Sequence, residues 1–127
     1  MIYGIGVDLV RVDRLARVVD TYGERFLKRV FTDREIAYCQ TRARQGIYQF
    51  AQRFAAKEAF SKALGVGLRQ GGIRWREVEV LPDPRGKPEI QVTGRAAALC
   101  QEHGIKGMHL SLTDEANHAV AMVVLET

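Results

Sequence analysis

Apolar residues recur with two different periods along the 127-residue chain, and each period predicts a different kind of element. Residues 2–10 alternate. Tyr3, Ile5, Val7 and Leu9 lie on one side, and the other side holds Ile2, Gly4, Gly6, Asp8 and Val10. A period of two indicates a β-strand with one apolar face. The chain is therefore expected to begin with a strand.

Helical spacing of apolar residues dominates the next part of the chain. It predicts helices over 13–22, from about 26 to 30, from Thr32 to about Arg44, from about Tyr48 to Leu64, and over 94–103. Thr32 has Glu35 three residues after it, which is the spacing of a capping box. We expect Gly46 to end the third helix and Gly65 the fourth.

Two hairpins are predicted in the second half. Residues 78–80 and 90–92 flank the turn sequence PDPRGKP, and residues 106–113 and 118–126 flank DEAN. The order of strand, helices, hairpin, helix and hairpin predicts an α+β fold with helices packed on an antiparallel sheet. A chain of this length is expected to form one domain, residues 1–127.

The fourth predicted helix carries charge on an apolar face. Its apolar arc consists of Ile47, Phe50, Ala51, Phe54 and Ala55. Glu58 falls near the centre of this arc, and Lys62 lies one turn further along. An unpaired buried carboxylate costs several kcal/mol, so Glu58 needs a cation. A Glu58–Lys62 pair would supply one, but a gain of about 0.5 kcal/mol does not explain a charge at this position. Glu58 is therefore a candidate functional residue.

Asp8 shares its strand face with Gly4 and Gly6. Two glycines beside an acid leave room for close approach, and a hard divalent cation with phosphate oxygens would fit there. Magnesium is bound by one or two carboxylates together with water and phosphate. The alternative is a strand-end aspartate that is satisfied by main chain or by a nearby arginine.

Three weaker candidates lie elsewhere. His109 shares a strand face with Ser111, where a histidine is either catalytic or structural. Lys87 in the turn RGKP is either an exposed turn residue or a phosphate contact. The loop after the Glu58 helix holds four glycines: Gly65, Gly67, Gly71 and Gly72. Such a loop can wrap a phosphate or a ribose.

The composition, with 46% hydrophobic and 27% charged residues, is that of an ordinary globular protein. We expect no membrane span, because no apolar run is long enough, and no signal peptide, because the first residues lack a basic segment. Cys39 and Cys100 have no CxxC spacing, which favours reduced thiols in a cytoplasmic protein over a disulfide.

The net charge of +4 is concentrated near the N-terminus. Residues 11–53 hold ten Lys and Arg against five Asp and Glu. This predicts an acidic partner for that part of the surface, although a solvated face is the simpler alternative. Aromatic residues are not interleaved with the arginines as a base-stacking groove requires, so nucleic acid is not the expected partner.

Three segments resemble the holo-[acyl-carrier-protein] synthase family, the small type of 4′-phosphopantetheinyl transferase. They are GIGVDLVRVDRL at 4–15, RFAAKEAFSKALGVG at 53–67 and MHLSLTDEANHAVAMVV at 108–124, with RGKP at 85–88 between them. The glycine–aspartate element followed about fifty residues later by FxxKExxxK is specific to the family. The resemblance covers essentially the whole chain.

The resemblance assigns roles to individual residues. It implies Mg²⁺ on Asp8 and Glu58. Together with the loop and turn patterns, it implies coenzyme A contacts from Arg53, Lys57, Lys62, Gly65, Lys87 and His109. Carrier-protein docking is implied for Arg14, Arg25, Phe26 and Arg29. Many family members have a second histidine where this chain has Asp114.

The family's reaction is the attack of a carrier-protein serine on the β-phosphate of coenzyme A, which releases 3′,5′-ADP and serves fatty acid biosynthesis. The resemblance also implies a homotrimer with active sites between subunits. Lys62 would neutralise the diphosphate, and the base is Glu58, a metal-bound water or His109. Two rival functions are a non-catalytic module that binds an acidic protein or nucleic acid, and a magnesium-dependent nucleotide hydrolase.

Overall fold

The computed structural model describes residues 1–68 and 72–127, so Gly71 of the glycine loop lies outside the described residues. The elements in chain order are β1 (Ile2–Arg11), α1 (Val12–Tyr22), α2 (Glu24–Val30), α3 (Asp33–Gln40), α4 (Gly46–Leu64), β2 (Val78–Pro82), β3 (Pro88–Val92), α5 (Gly94–Glu102), β4 (Gly107–Glu115) and β5 (His118–Glu126). Short 3₁₀ segments cover Ala43–Gln45 and Trp75–Glu77.

The strands form two antiparallel sheets. One has the order β1-β5-β4, and the other is the hairpin β2–β3. Helix α4 packs along β1 and β5, and its other sides meet α1, α3 and β2. The predicted α+β fold is confirmed.

Three predicted boundaries are wrong. The third helix ends at Gln40 rather than near Arg44, and Gly46 begins α4 instead of ending the helix before it. A side chain at Gly46 would lie 2.7 Å from the main-chain oxygen of Cys39, so glycine permits a close approach to α3. The last hairpin has a loop of only two residues, and Ala116 takes a positive φ of 51° in it.

The apolar side of β1 faces solvent in the single chain. Ile5, Val7 and Leu9 are 58%, 56% and 62% exposed. The opposite side packs on α4, where a Cβ atom added at Gly4 would lie 1.9 Å from Ala63 O. The room that the sequence suggested for a ligand beside these glycines is therefore filled by helix main chain.

Helix α4 is buried on most of its sides, and its buried residues extend well beyond the predicted apolar arc. Ala56, Ala59 and Phe60 are fully buried although they lie outside that arc. Glu58 is only half-buried and Lys62 is exposed, so neither lies at the centre of a buried face as expected. No helix in the described residues has the length and apolar character that a membrane crossing requires.

Candidate active site

One cavity of about 660 Å³ brings together residues that the sequence singled out separately. It lies where β1, α1, α2 and α4 meet. Its wall includes both candidate metal ligands, Asp8 and Glu58, and the candidate phosphate contact Lys62. Arg14 and Phe26, two of the expected docking residues, also line it. The candidate metal ligands and two of the expected docking residues thus open onto the same space.

Lys62 neutralises Asp8 directly. Its ammonium donates to Asp8 Oδ1 at 3.1 Å and to the main-chain oxygen of Val7 at 2.9 Å. Asp8 is 17% exposed, whereas Lys62 is 54% exposed and reaches the aspartate from the cavity rim. The carboxylate of Asp8 therefore binds a cation in this structure. That cation is the lysine Lys62 rather than the arginine considered above.

Glu58 lies in the cavity wall between Phe54, one turn before it, and Lys62, one turn after it. Helix α4 ends two turns beyond Glu58, at Gly65, whose φ of 82° is left-handed. Two carboxylates in one cavity match magnesium, which usually takes one or two carboxylates and completes its shell with water and phosphate. Among residues 1–68 and 72–127 there is no cluster of three or more acidic, histidine or cysteine ligands.

Lys57, which was expected to contact coenzyme A, is fully buried and does not line this cavity. Its ammonium lies 2.8 Å from Glu35 Oε1 and donates to the main-chain oxygens of Trp75 and Val78. Burial lowers the pKa of Lys57, and the charge of Glu35 opposes that shift. The geometry favours a structural role because every donor of the ammonium is already used.

Arg53 is also internal, with 2% of its surface exposed. Its Nε donates to the main-chain oxygen of Val80 at 3.0 Å, and Nη1 donates to Gln49 Oε1 at 2.9 Å. The guanidinium lies over the ring of Tyr38, 4.5 Å from the centroid. We therefore leave Arg53 and Lys57 out of the residues that could meet a ligand directly.

The expected docking residues form a basic surface on α1 and α2. Arg25, Phe26 and Arg29 line one groove of about 500 Å³, and Arg14 lines a second one of about 480 Å³ beside it. Arg11 and Arg17 extend this second groove, and sequence reasoning missed them. The signal that could have found them is an arginine at every third position, 11, 14 and 17, from the end of β1 into α1. Within α1 this spacing puts Arg14 and Arg17 on neighbouring turns.

Asp13 organises this basic surface. Its Oδ2 lies 2.9 Å from Arg11 and 3.6 Å from Arg17. Asn117 beside the carboxyl group and the hydrogen bond from the Arg11 guanidinium lower the pKa of Asp13 to about 2. The carboxylate therefore stays ionised at neutral pH and holds two arginines beside the groove.

His109 and Lys87 line a different cavity, of about 390 Å³, between β3 and β4. His109 Nε2 lies 2.5 Å from Glu126 Oε1. Within one chain the structure does not bring His109 or Lys87 to the cavity of Asp8 and Glu58. A base role for His109 at that cavity would need a second copy of the chain.

Comparison with known proteins gives a consistent result. Residues 4–123 match the family model described as the 4′-phosphopantetheinyl transferase superfamily. The holo-[acyl-carrier-protein] synthase of Geotalea daltonii is 50% identical over 126 residues, which cover 99% of each chain. The corresponding protein of Koribacter versatilis is 45% identical with the same coverage.

Solved structures agree with the sequence comparison. The holo-[acyl-carrier-protein] synthase of Neisseria meningitidis superimposes with a TM-score of 0.90 at 37% identity over the whole of both chains. The Bacillus anthracis enzyme, solved in complex with coenzyme A (3′,5′-ADP), gives 0.81 at 33% identity and covers 100% of this chain and 98% of its own. The family predicted from the motifs is confirmed, and the chain belongs to the 4′-phosphopantetheinyl transferase superfamily.

Proposed function

We propose that this protein transfers the 4′-phosphopantetheine group of coenzyme A to a serine of apo acyl carrier protein. The products are holo carrier protein and 3′,5′-ADP, and the reaction serves fatty acid biosynthesis. The observation that carries the proposal is the single cavity shared by Asp8, Glu58 and Lys62 with Arg14 and Phe26 of the basic surface. The transferase domain spans residues 1–127.

Asp8 and Glu58 are the residues that would hold Mg²⁺. The donor set fits, since both are hard oxygen ligands and the ammonium of Lys62 already lies against Asp8. When bound, the ion would neutralise charge on the diphosphate. Phosphoryl transfer otherwise needs mainly alignment and charge neutralisation, and the exposed side chain of Lys62 can supply part of that charge.

The proton of the attacking serine needs an acceptor in the same cavity. Glu58 is the first candidate because this half-buried residue lines the cavity that the docking surface borders. His109 is the second, and it requires a neighbouring subunit because its own cavity is separate. Lys87 and the loop that begins at Gly65 are proposed contacts for the nucleotide part of coenzyme A.

An assembly of three copies is part of the proposal, and an exposed apolar sheet face supports it. Ile5, Val7 and Leu9 of β1 and Met122 of β5 are 47–62% exposed on one side of the sheet. The strand register places His109 on the same side, because His109 and Ile5 both pair with Val124 of β5. Exposed apolar patches of this kind mark interfaces. We propose that other subunits cover this face so that His109, with Lys87 in the cavity that both line, meets a neighbour's cavity.

The basic surface supports an acidic partner, which is the role that acyl carrier protein has in the family. Arginines there lie beside the apolar side chain of Phe26, which suits an acidic helix with an apolar side. A cytoplasmic location is likewise proposed. Cys39 and Cys100 support it because both are buried free thiols, as reducing compartments favour.

Mass spectrometry of the carrier protein tests the proposed function. Apo carrier protein incubated with this enzyme, coenzyme A and Mg²⁺ should gain one phosphopantetheine group, and chelator should stop the gain. A parallel incubation without carrier protein should leave coenzyme A intact. Consumption of coenzyme A there would favour the nucleotide hydrolase, and an unmodified carrier protein with intact coenzyme A would favour a binding module.

A further inference from the structure

Glu35 and Lys57 form an ion pair that solvent does not reach. Both side chains are fully buried, and Lys57 Nζ lies 2.8 Å from Glu35 Oε1. The ammonium also donates to the main-chain oxygens of Trp75, at 3.1 Å, and Val78. Because a lysine ammonium has three hydrogens, no donor remains for a ligand. The pair therefore needs an explanation other than contact with substrate.

The carboxylate of Glu35 is equally engaged. Oε1 also accepts from the main-chain N–H of Thr32 at 2.9 Å, and Oε2 accepts from that of Val80 at 2.8 Å. Through these bonds the pair joins the start of α3, strand β2 and the middle of α4. Hydrogen bonds are directional whereas apolar contact is not, so this network fixes how α4 is rotated against its neighbours.

Stability alone is a poor reason to bury these two charges. Desolvation offsets much of the attraction in a buried ion pair, and apolar replacements of similar volume are often as stable. Much of the buried surface of α4 is alanine: Ala51, Ala55, Ala56, Ala59 and Ala63. Such small side chains offer few projections that could hold a helix in one register. The ion pair therefore fixes the rotation of α4 against its neighbours, which alanine packing alone does not determine.

The positions of Glu35 and Lys57 in the chain show that the ion pair links α2 to α4. Lys57 directly precedes Glu58 of the cavity. Glu35 follows α2, the helix that carries much of the docking surface, with only the segment around Phe31 between them. Phe31 is fully buried, and its ring lies 6.4 Å from that of Phe26. The pair therefore connects α2, through the Phe31 segment, to α4, the helix that carries the proposed metal ligand Glu58.

The same bonds hold one wall of the cavity. Trp75, whose main-chain oxygen accepts from Lys57, stacks on Phe54 with ring centroids 4.9 Å apart. Phe54 lies 6.4 Å from Phe26, and both phenylalanines line the cavity. Movement of Trp75 would thus shift the apolar wall that lies between the docking surface and the carboxylates.

We propose that Glu35 and Lys57 are positioning residues, which hold α2 at the spacing from Glu58 that brings the carrier-protein serine to the reacting phosphate. This inference rests on the proposed function. Neither side chain touches substrate. Loss of the pair slows transfer to the carrier protein and leaves coenzyme A binding intact, because Asp8 and Lys62 are held between β1 and α4.

The double variant Glu35→Gln/Lys57→Met tests the proposal, since it removes both charges without leaving one unpaired. Well below its unfolding temperature, we expect kcat to fall by about 10- to 100-fold. The Kd for coenzyme A should stay within about twofold of wild type. Lys106→Met, which removes an exposed lysine, is the matched control and should change neither value. A normal kcat would show a purely structural pair, and a tenfold weaker Kd would show a direct coenzyme A contact; either result overturns the proposal.

A second comparison separates positioning from general damage. In an Arg25→Glu background, docking is already impaired. The double substitution should therefore reduce kcat/KM by a factor at least about fivefold smaller there than in the wild-type background. An equal loss in both backgrounds would contradict the proposal. If the double variant does not fold, Glu35→Asp can replace it, because it keeps both charges. This variant should also lower kcat and leave the Kd for coenzyme A unchanged. An unchanged kcat would contradict the proposal. Failure of the wild type to modify carrier protein would instead refute the proposed function.

Discussion

Gly6→Ala should damage both the stability and the activity of this protein. The new Cβ would lie 1.8 Å from Ala59 O and 2.9 Å from Ala63 N, and both are main-chain atoms of α4. Neither can rotate away, so β1 and α4 would have to separate by roughly 1.5–2 Å before the contact became an ordinary one. Overpacking usually costs about 1–3 kcal/mol, and this site should reach about 3 kcal/mol or more.

The same displacement would separate the two proposed metal ligands. Asp8 lies two residues after Gly6 on the same strand face, and Glu58 directly precedes Ala59. A displacement of about 1 Å at a reacting centre can reduce turnover by about 100-fold. We therefore expect Tm to fall by roughly 10–15 °C and phosphopantetheine transfer at 20 °C to fall by about two orders of magnitude.

Circular dichroism melting and a transfer assay measure the two effects. Gly67→Ala is the control for stability, because an added Cβ there meets no atom within 4 Å. Its Tm should change by no more than a few degrees. A Gly6→Ala protein that melts within about 2 °C of wild type and transfers at the normal rate would refute the argument from close packing.

Three further predictions concern charge. Lys62→Met should bind Mn²⁺ about two- to fivefold more tightly than wild type when coenzyme A is absent, because the ammonium no longer competes for Asp8; calorimetry that shows equal or weaker binding would contradict this. Asp13 has a pKa lowered to about 2, so its stabilising effect is present above the ordinary value of 3.8 and is lost as pH falls toward 2. The Tm difference between wild type and Asp13→Asn should therefore shrink over that range, and a constant difference would be the contrary result. Arg14→Glu combined with Arg25→Glu should raise the KM for carrier protein more than that for coenzyme A, with a smaller effect at high salt, and an unchanged carrier KM would exclude this docking surface.

Much of the fold follows from local patterns in the sequence. The capping box at Thr32 forms as predicted, and the left-handed glycine at 65 ends α4. Both depend on residues within one turn of each other, so a single sequence contains the information. The position of Gly46 depends instead on contact with α3, and local patterns placed it at the wrong end of a helix.

The two faces of β1 show a second limit of prediction from local sequence patterns. Alternation in residues 2–10 reveals an apolar side, but it does not say what covers that side. In the structure α4 covers the glycine side, and the apolar side of Val7 and Leu9 stays exposed in the single chain. The distinction depends on which neighbour packs where, and that information lies in the tertiary structure and in any assembly.

The candidate site is predictable only in part, because some of its contacts are also set by the tertiary structure. Helical spacing singles out Glu58 and Lys62, strand alternation singles out Asp8, and the structure places all three around one cavity. The resemblance to the family assigns Lys57 to coenzyme A, yet its ammonium pairs with Glu35, which lies 22 residues earlier in the chain. Nothing in the spacing around Lys57 distinguishes a cation that faces solvent from one that meets a distant acid.

The central claim is that the carboxylates of Asp8 and Glu58 together support phosphopantetheine transfer. The most direct measurement is the mass of the carrier protein after incubation with coenzyme A, saturating Mg²⁺ and either wild type, Glu58→Gln or the exposed-acid control Glu102→Gln. We predict full modification by wild type and by the control, and at least a 100-fold slower reaction with Glu58→Gln. Modification by Glu58→Gln at the wild-type rate would contradict this claim.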